Sequence, residues 1–107
     1  MVILIDTNVI LDVFQKREPF YKSSNKILNY CASGEIKGYI AIHSISNIFF
    51  ILRKQLSTDE RRKVLLMLLD FLEIANASHK NVKRALLRSD FIDFEDCLQD
   101  ECAKQVF

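Results

Sequence analysis

Three features of the chain predict an α/β fold built on a short parallel sheet. The first is its opening. Val2-Ile3-Leu4-Ile5 is an apolar run with three β-branched residues, the pattern of a buried strand. The run ends on Asp6, and Val9, Ile10, Val13 and Phe14 then recur at helical spacing. The second is alternation: further short apolar runs are separated by stretches of helical periodicity, which favours parallel strands joined by right-handed crossovers. The third is composition. Of 107 residues 50% are apolar, with two glycines and one proline, so the chain is regular and globular and its length suits a single domain, residues 1–107.

Each element follows in order. After the first strand and helix, Pro19 stands where a helix can restart, and Phe20, Ile27, Leu28 and Cys31 mark an amphipathic face. Gly34 fits the stop of that helix, since a helix commonly ends on a left-handed residue that glycine adopts freely. Gly38 to Ile42 reads as a second strand. Ser44 is positioned to cap the next helix, which carries Ile45, Ile48, Phe49 and Leu52 on one face and closes on Arg53-Lys54. Ser57-Thr58-Asp59-Glu60 opens another helix. Its run Val64–Leu69 is apolar all round and is expected to be largely buried. Leu72 to Ala75 is a weak third strand, and Ser78 starts a helix bearing Val82, Ala85 and Leu86. The last helix begins at Asp93 and runs through Ala103.

Two sets of carboxylates carry the functional signal. Asp6 falls at the carboxyl end of the first strand, where open α/β sheets collect ligands. It can equally serve as the N-cap of the following helix. Asp93, Asp96 and Asp100 lie at i, i+3 and i+7 on one helical stripe, within a segment, 89–107, that holds six acids and one base. Capping by Asp93, a favourable dipole contact by Asp96 and simple exposure of Asp100 would also account for them. The functional alternative is that Asp96 meets Asp6 and the two hold a hard divalent cation, which takes oxygen ligands and often only one or two carboxylates.

Composition excludes several classes. A formal net charge of +1 supplies no global basicity that argues for nucleic acid and no acidic excess that argues against it. Cys31, Cys97 and Cys102 are odd in number and show no CxxC spacing, and His43 and His79 lie far apart, which speaks against zinc and for buried thiols in a reducing compartment. No signal peptide is visible, and the apolar runs are too short to span a bilayer, so the expectation is a soluble, cytoplasmic protein with no membrane partner.

The chain resembles the PIN-domain family, and more narrowly the VapC-like toxins of prokaryotic toxin–antitoxin pairs. The segments that carry the resemblance are Ile5 to Asp12, Ile42 to Lys54 and Asp93 to Gln99, in that order over nearly the whole chain. The resemblance implies a three-layer fold with a short central parallel sheet flanked by helices. It also implies a small nuclease that hydrolyses RNA with Mg²⁺ or Mn²⁺. Matched by position, Asp6 is the family's first acid and Asp96 the acid of the late helix. Asp93 is an auxiliary metal ligand, and Asn8, Ser44 and Asn47 support the site. Two departures stand out. Where the family places a glutamate on the middle helix this chain has Asn47, an amide that supplies no negative charge. The family's further strand, its Thr-Arg-Asn-like turn and another acid would lie past Phe107, so the last strand or strands are expected to be missing and the edge of the first strand unpaired.

Basic residues fall in two regions, Arg53, Lys54, Arg61, Arg62 and Lys63 in one and Lys80, Lys83, Arg84 and Arg88 in the other. Either group could track an RNA backbone, single-stranded or looped RNA being the substrate most able to bend into a pocket. Each residue also reads as part of a solvated helical face. His43 could face the site or act as a capping or core residue. A catalytically silent PIN-like domain that binds an antitoxin or a second copy of itself is the rival reading, favoured by Asn47 and by the expected lack of the family's last segment. A dehalogenase-like phosphatase would need Asp-x-Asp where Asn8 stands, and a phosphoacceptor receiver would need an acidic pair before its first helix.

Overall fold

The computed structural model describes residues 1–90 and 93–107. Strand β1 (Val2–Ile5) leads into helix α1 (Thr7–Phe14), and α2 (Tyr21–Ser33) follows. Strand β2 (Lys37–Ala41) passes without a spacer into α3 (Ile42–Ile51), which tightens into a 3₁₀ turn over Leu52–Lys54. Helix α4 (Thr58–Leu69), strand β3 (Leu72–Ala75), α5 (His79–Leu87) and α6 (Phe94–Val106) complete the order. The α/β class and the short parallel sheet are those expected. The strands lie in the order β1-β2-β3, with β1 and β2 parallel and in the register Ile3↔Gly38 and Ile5↔Ile40. Among the described residues β1 is therefore an edge strand.

The chain divides into two compact units, Met1–Ile74 and Ala75–Phe107. In the first, the core joins Ile5 and Ile40 of the strands to Ile10 and Leu11 of α1, Leu28 and Cys31 of α2, Ile48 of α3 and Leu65 and Leu68 of α4, with Leu72 of β3. Each such side chain contributes about 1.5–3 kcal/mol when fully removed from water. Burial pushes the Cys31 thiol up, so it behaves as a small apolar group. Gly34 ends α2 at φ +86°, as its place in the sequence predicted. Gly38 has a different task. A Cβ there would meet Leu72 Cδ2 at 2.6 Å and Cys31 Sγ at 2.7 Å, so α2 and β3 close on β2 at a point where only glycine leaves room.

Helix termini largely follow their local signals. Ser57 and Glu60 form a reciprocal capping box on α4, and Ser78 and Asn81 form one on α5. Two expectations need correction. Ser44 is not the cap of α3: that helix starts earlier, at Ile42, with Ala41 as N-cap and no side-chain cap bond. The reason is that β2 ends at Ala41 and turns directly into α3, leaving Ser44 inside the first turn and fully buried. The Val64–Leu69 run is not largely buried either. Only Leu65 and Leu68 are, while Leu66 and Met67 remain 66% and 49% exposed. An apolar sequence cannot turn all sides of a helix toward a core that touches just one of them.

The second unit packs α5 against α6 around a polar centre. Asn81 and Glu101 are buried beside Ala85, Cys97 and Cys102. The helix expected from Asp93 is present, capped by that residue and running on to Val106.

Candidate functional site

Parallel pairing decides what meets at the carboxyl edge of the sheet. Because Ile5 stands opposite Ile40, the residues that follow each, Asp6 and Ala41, leave the sheet side by side, and α1 and α3 start from the same edge. Thr7 and Ser44 record that proximity: the Thr7 hydroxyl donates to Ser44 Oγ at 2.8 Å, tying the first turn of α1 to the first turn of α3. Ser44 is thus a link between two helix starts. Asn47 lies three residues further along α3, on the face that carries Ser44, and is half-buried.

Asp6 is exposed in this setting, and it does cap α1. Its Oδ2 accepts from the backbone N–H of Asn8 at 3.0 Å. The capping and functional readings do not compete, since one oxygen satisfies the helix terminus and the carboxylate still reaches solvent. Asn8, also exposed, stands at the mouth of an open cleft of about 530 Å³ that Asp12, Arg17, Glu18 and Phe20 line with it. Asp12 is buried, and its carboxylate accepts from the Ser24 hydroxyl at 3.0 Å, fastening α1 to α2. Sequence reasoning passed over Asp12 as a structural acid. The available signal was an acid following Ile10-Leu11 on the inner face of a short helix.

The second unit holds the other predicted acids. Asp93 and Asp96 are exposed on the first turn of α6, and Asp93 accepts from the Glu95 N–H at 2.9 Å. Asp100, next on that stripe, is neutralised: Arg88 Nη1 reaches its Oδ2 at 2.7 Å, and Lys104 stands 3.7 Å away. The repulsion expected along the stripe is offset at that end by Arg88, the C-cap of α5, and by Lys104 of α6.

A second structural acid that the sequence did not single out is Glu101, which is fully buried. It accepts from Asn81 and Arg84 at 3.2 Å each, from Arg88 at 2.9 Å and from Lys104 at 3.1 Å. Burial alone would push this carboxyl up. The hydrogen bonds from Lys104, Asn81 and Arg88 outweigh it and hold the pKa at about 2. Arg88 also binds Asp90 as well as Asp100, and the Asp90 carboxyl is held at about 2, chiefly by that guanidinium. The signal was present in the sequence: Asn81, Arg84 and Arg88 recur at i, i+3 and i+7, and Glu101 continues the buried stripe of Cys97.

Within the first unit the candidate oxygen donors are the Asp6 carboxylate and the neutral groups of Asn8, Ser44 and Asn47, and within the second they are the carboxylates of Asp93 and Asp96; oxygen is the donor that hard divalent ions take. Among the described residues no group of three or more His, Cys, Asp or Glu side chains is arranged to hold a metal ion. Among them too, no helix is long and apolar enough to cross a membrane.

Compared with known protein families, residues 2–106 match the PIN domain. No curated protein and no solved structure gives a significant match.

Proposed function

Since the chain belongs to the PIN domain family, a nuclease-type family that generally depends on divalent metal and binds RNA, we propose that it is a metal-dependent ribonuclease, with residues 1–107 acting as one PIN-like domain. The observation that carries this reading is Asp6, an exposed carboxylate at the carboxyl edge of a parallel sheet. The finer assignment is a VapC-like toxin of a toxin–antitoxin pair, acting in the cytoplasm on single-stranded or looped RNA. The exposed Leu66 and Met67 then offer apolar surface to an antitoxin or to a second copy.

In this reading Asp6 and Asp96 are the carboxylates that hold Mg²⁺ or Mn²⁺, with Asp93 as an auxiliary ligand. A divalent ion so bound supplies Lewis acidity toward a phosphodiester oxygen and toward water. Asp6 contributes the oxygen that its capping bond leaves over. Asp93 fixes the first turn of α6 and so orients Asp96. The Thr7–Ser44 bond ties the first turns of α1 and α3 together, and Asn8, Ser44 and Asn47 are the residues that would support the site from those two helices. Asn47 supplies an amide where a carboxylate would add charge, so metal affinity is expected to be modest. That same residue favours the second reading, a silent PIN-like domain retained for protein binding.

The test is RNA cleavage by the purified full chain in Mn²⁺, with and without EDTA, beside Asp6→Asn. Cleavage should require the metal and fall more than about 100-fold in the variant, beyond what loss of an outer-shell partner costs. Cleavage that survives both EDTA and the substitution would falsify the assignment, and no cleavage in any condition would favour the silent domain.

A further inference from the structure

Lys80, Lys83, Arg84, Leu87 and Arg88 line an open cleft of about 480 Å³ on the second unit. Lys80, Lys83, Arg84 and Leu87 recur at spacings of three and four along one stripe of α5, spanning about 10 Å at the helical rise, and Arg88 is the C-cap of that helix. The counter-ions are uneven. Arg88 is bound by Asp90, Asp100 and Glu101, and Arg84 by Glu101. Lys80 and Lys83 are exposed and form no ion pair among the described residues. The excess positive charge of the cleft therefore rests on two ammonium groups, while the buried Glu101 holds the two guanidiniums in its wall. Leu87, 82% exposed, adds apolar ground between them. At its Arg88 end the cleft meets Asp100, one helical turn along α6 from Asp96.

Lys80 and Lys83 stand about one helical turn apart on the same stripe, so they offer two separate phosphate contacts, and the exposed leucine further along that stripe suits a ribose or base rather than bulk anion. We propose that the α5 cleft binds the phosphodiester backbone of single-stranded RNA, with Lys80 and Lys83 making the phosphate contacts. The identity of the polyanion rests on the ribonuclease reading above. The cleft then serves as the track that leads a strand toward the α6 turn carrying Asp93 and Asp96.

The test measures binding of a short labelled oligouridylate to the full chain in EDTA, across a salt series, with Mn²⁺-dependent cleavage followed in parallel. Lys80→Gln/Lys83→Gln is compared with Lys22→Gln/Lys26→Gln, which removes the same charge from exposed positions on α2. Loss of two phosphate contacts should reduce the slope of log affinity against log salt by about 1.4, at about 0.7 per contact on single strands. The α2 variant should keep the wild-type slope. Equal slopes in both double variants, or no binding by the wild type, overturn the proposal. Cleavage by a wild type whose binding ignores Lys80 and Lys83 removes the cleft and keeps the nuclease. Binding that depends on them without any cleavage keeps the cleft and removes the nuclease.

Discussion

Gly38 and Gly34 show two ways in which a single residue is constrained. Gly34 needs a left-handed backbone, a local demand visible from its place after an amphipathic stretch. Gly38 needs empty space, which depends on Cys31 of the preceding helix and on Leu72, far along the chain in β3, and no local pattern announces it. Gly38→Ala should therefore destabilise the chain by about 1–3 kcal/mol through overpacking. Urea unfolding followed by circular dichroism checks this, and an unchanged midpoint would show that α2 yields freely. Ser44 teaches the same lesson from the other side. Its type and position suggested a cap, but the residue that turns out to matter to it is Thr7, reached only because β1 and β2 are parallel neighbours.

Among elements, what is local was legible and what is tertiary was not. The caps of α4, α5 and α6 follow from short sequence signals, and all are formed. Burial of α4 did not follow from its composition, because exposure of Leu66 and Met67 depends on what lies across from them. The α5–α6 pair makes the point most strongly. Its centre is a carboxylate enclosed by Asn81, Arg84, Arg88 and Lys104, with Asp100 sharing Arg88. The folded pKa of Glu101, about 2, lies below its ordinary value of 4.5, so the ionised group stabilises the native state above pH 4.5. That contribution is lost as pH falls from 4.5 toward 2. Unfolding midpoints measured across that window should fall steeply for the wild type. Glu101→Gln should be less stable at neutral pH and show a flatter profile, and parallel profiles for the two proteins would count against the network.

At the scale of the whole molecule, the order of strands and helices and the α/β class were legible, since alternating periodicities leave few topologies to choose from. The candidate acids were legible as residue types. Their assignment to one metal site came from resemblance, because Asp6 and Asp96 are separated by nearly the full chain and spacing alone does not join them. The polar interior of the second unit went unread for a related reason: sequence patterns report apolar stripes well and buried charge poorly.

The direct passage from Ala41 to Ile42 makes chain length at that point a setting of rotational phase. One extra alanine inserted between them would turn α3 by about 100° about its axis. Ser44 would swing away from Thr7, and Ile48 would leave the core for water. Such an insertion should cost several kcal/mol, on the order of a buried isoleucine plus an orphaned hydroxyl, and lower the yield of folded protein. By contrast, the same alanine placed in the turn between α4 and β3 should be absorbed with little change. A size-exclusion and urea-midpoint comparison of the two insertions would tell a phase lock from an ordinary connection.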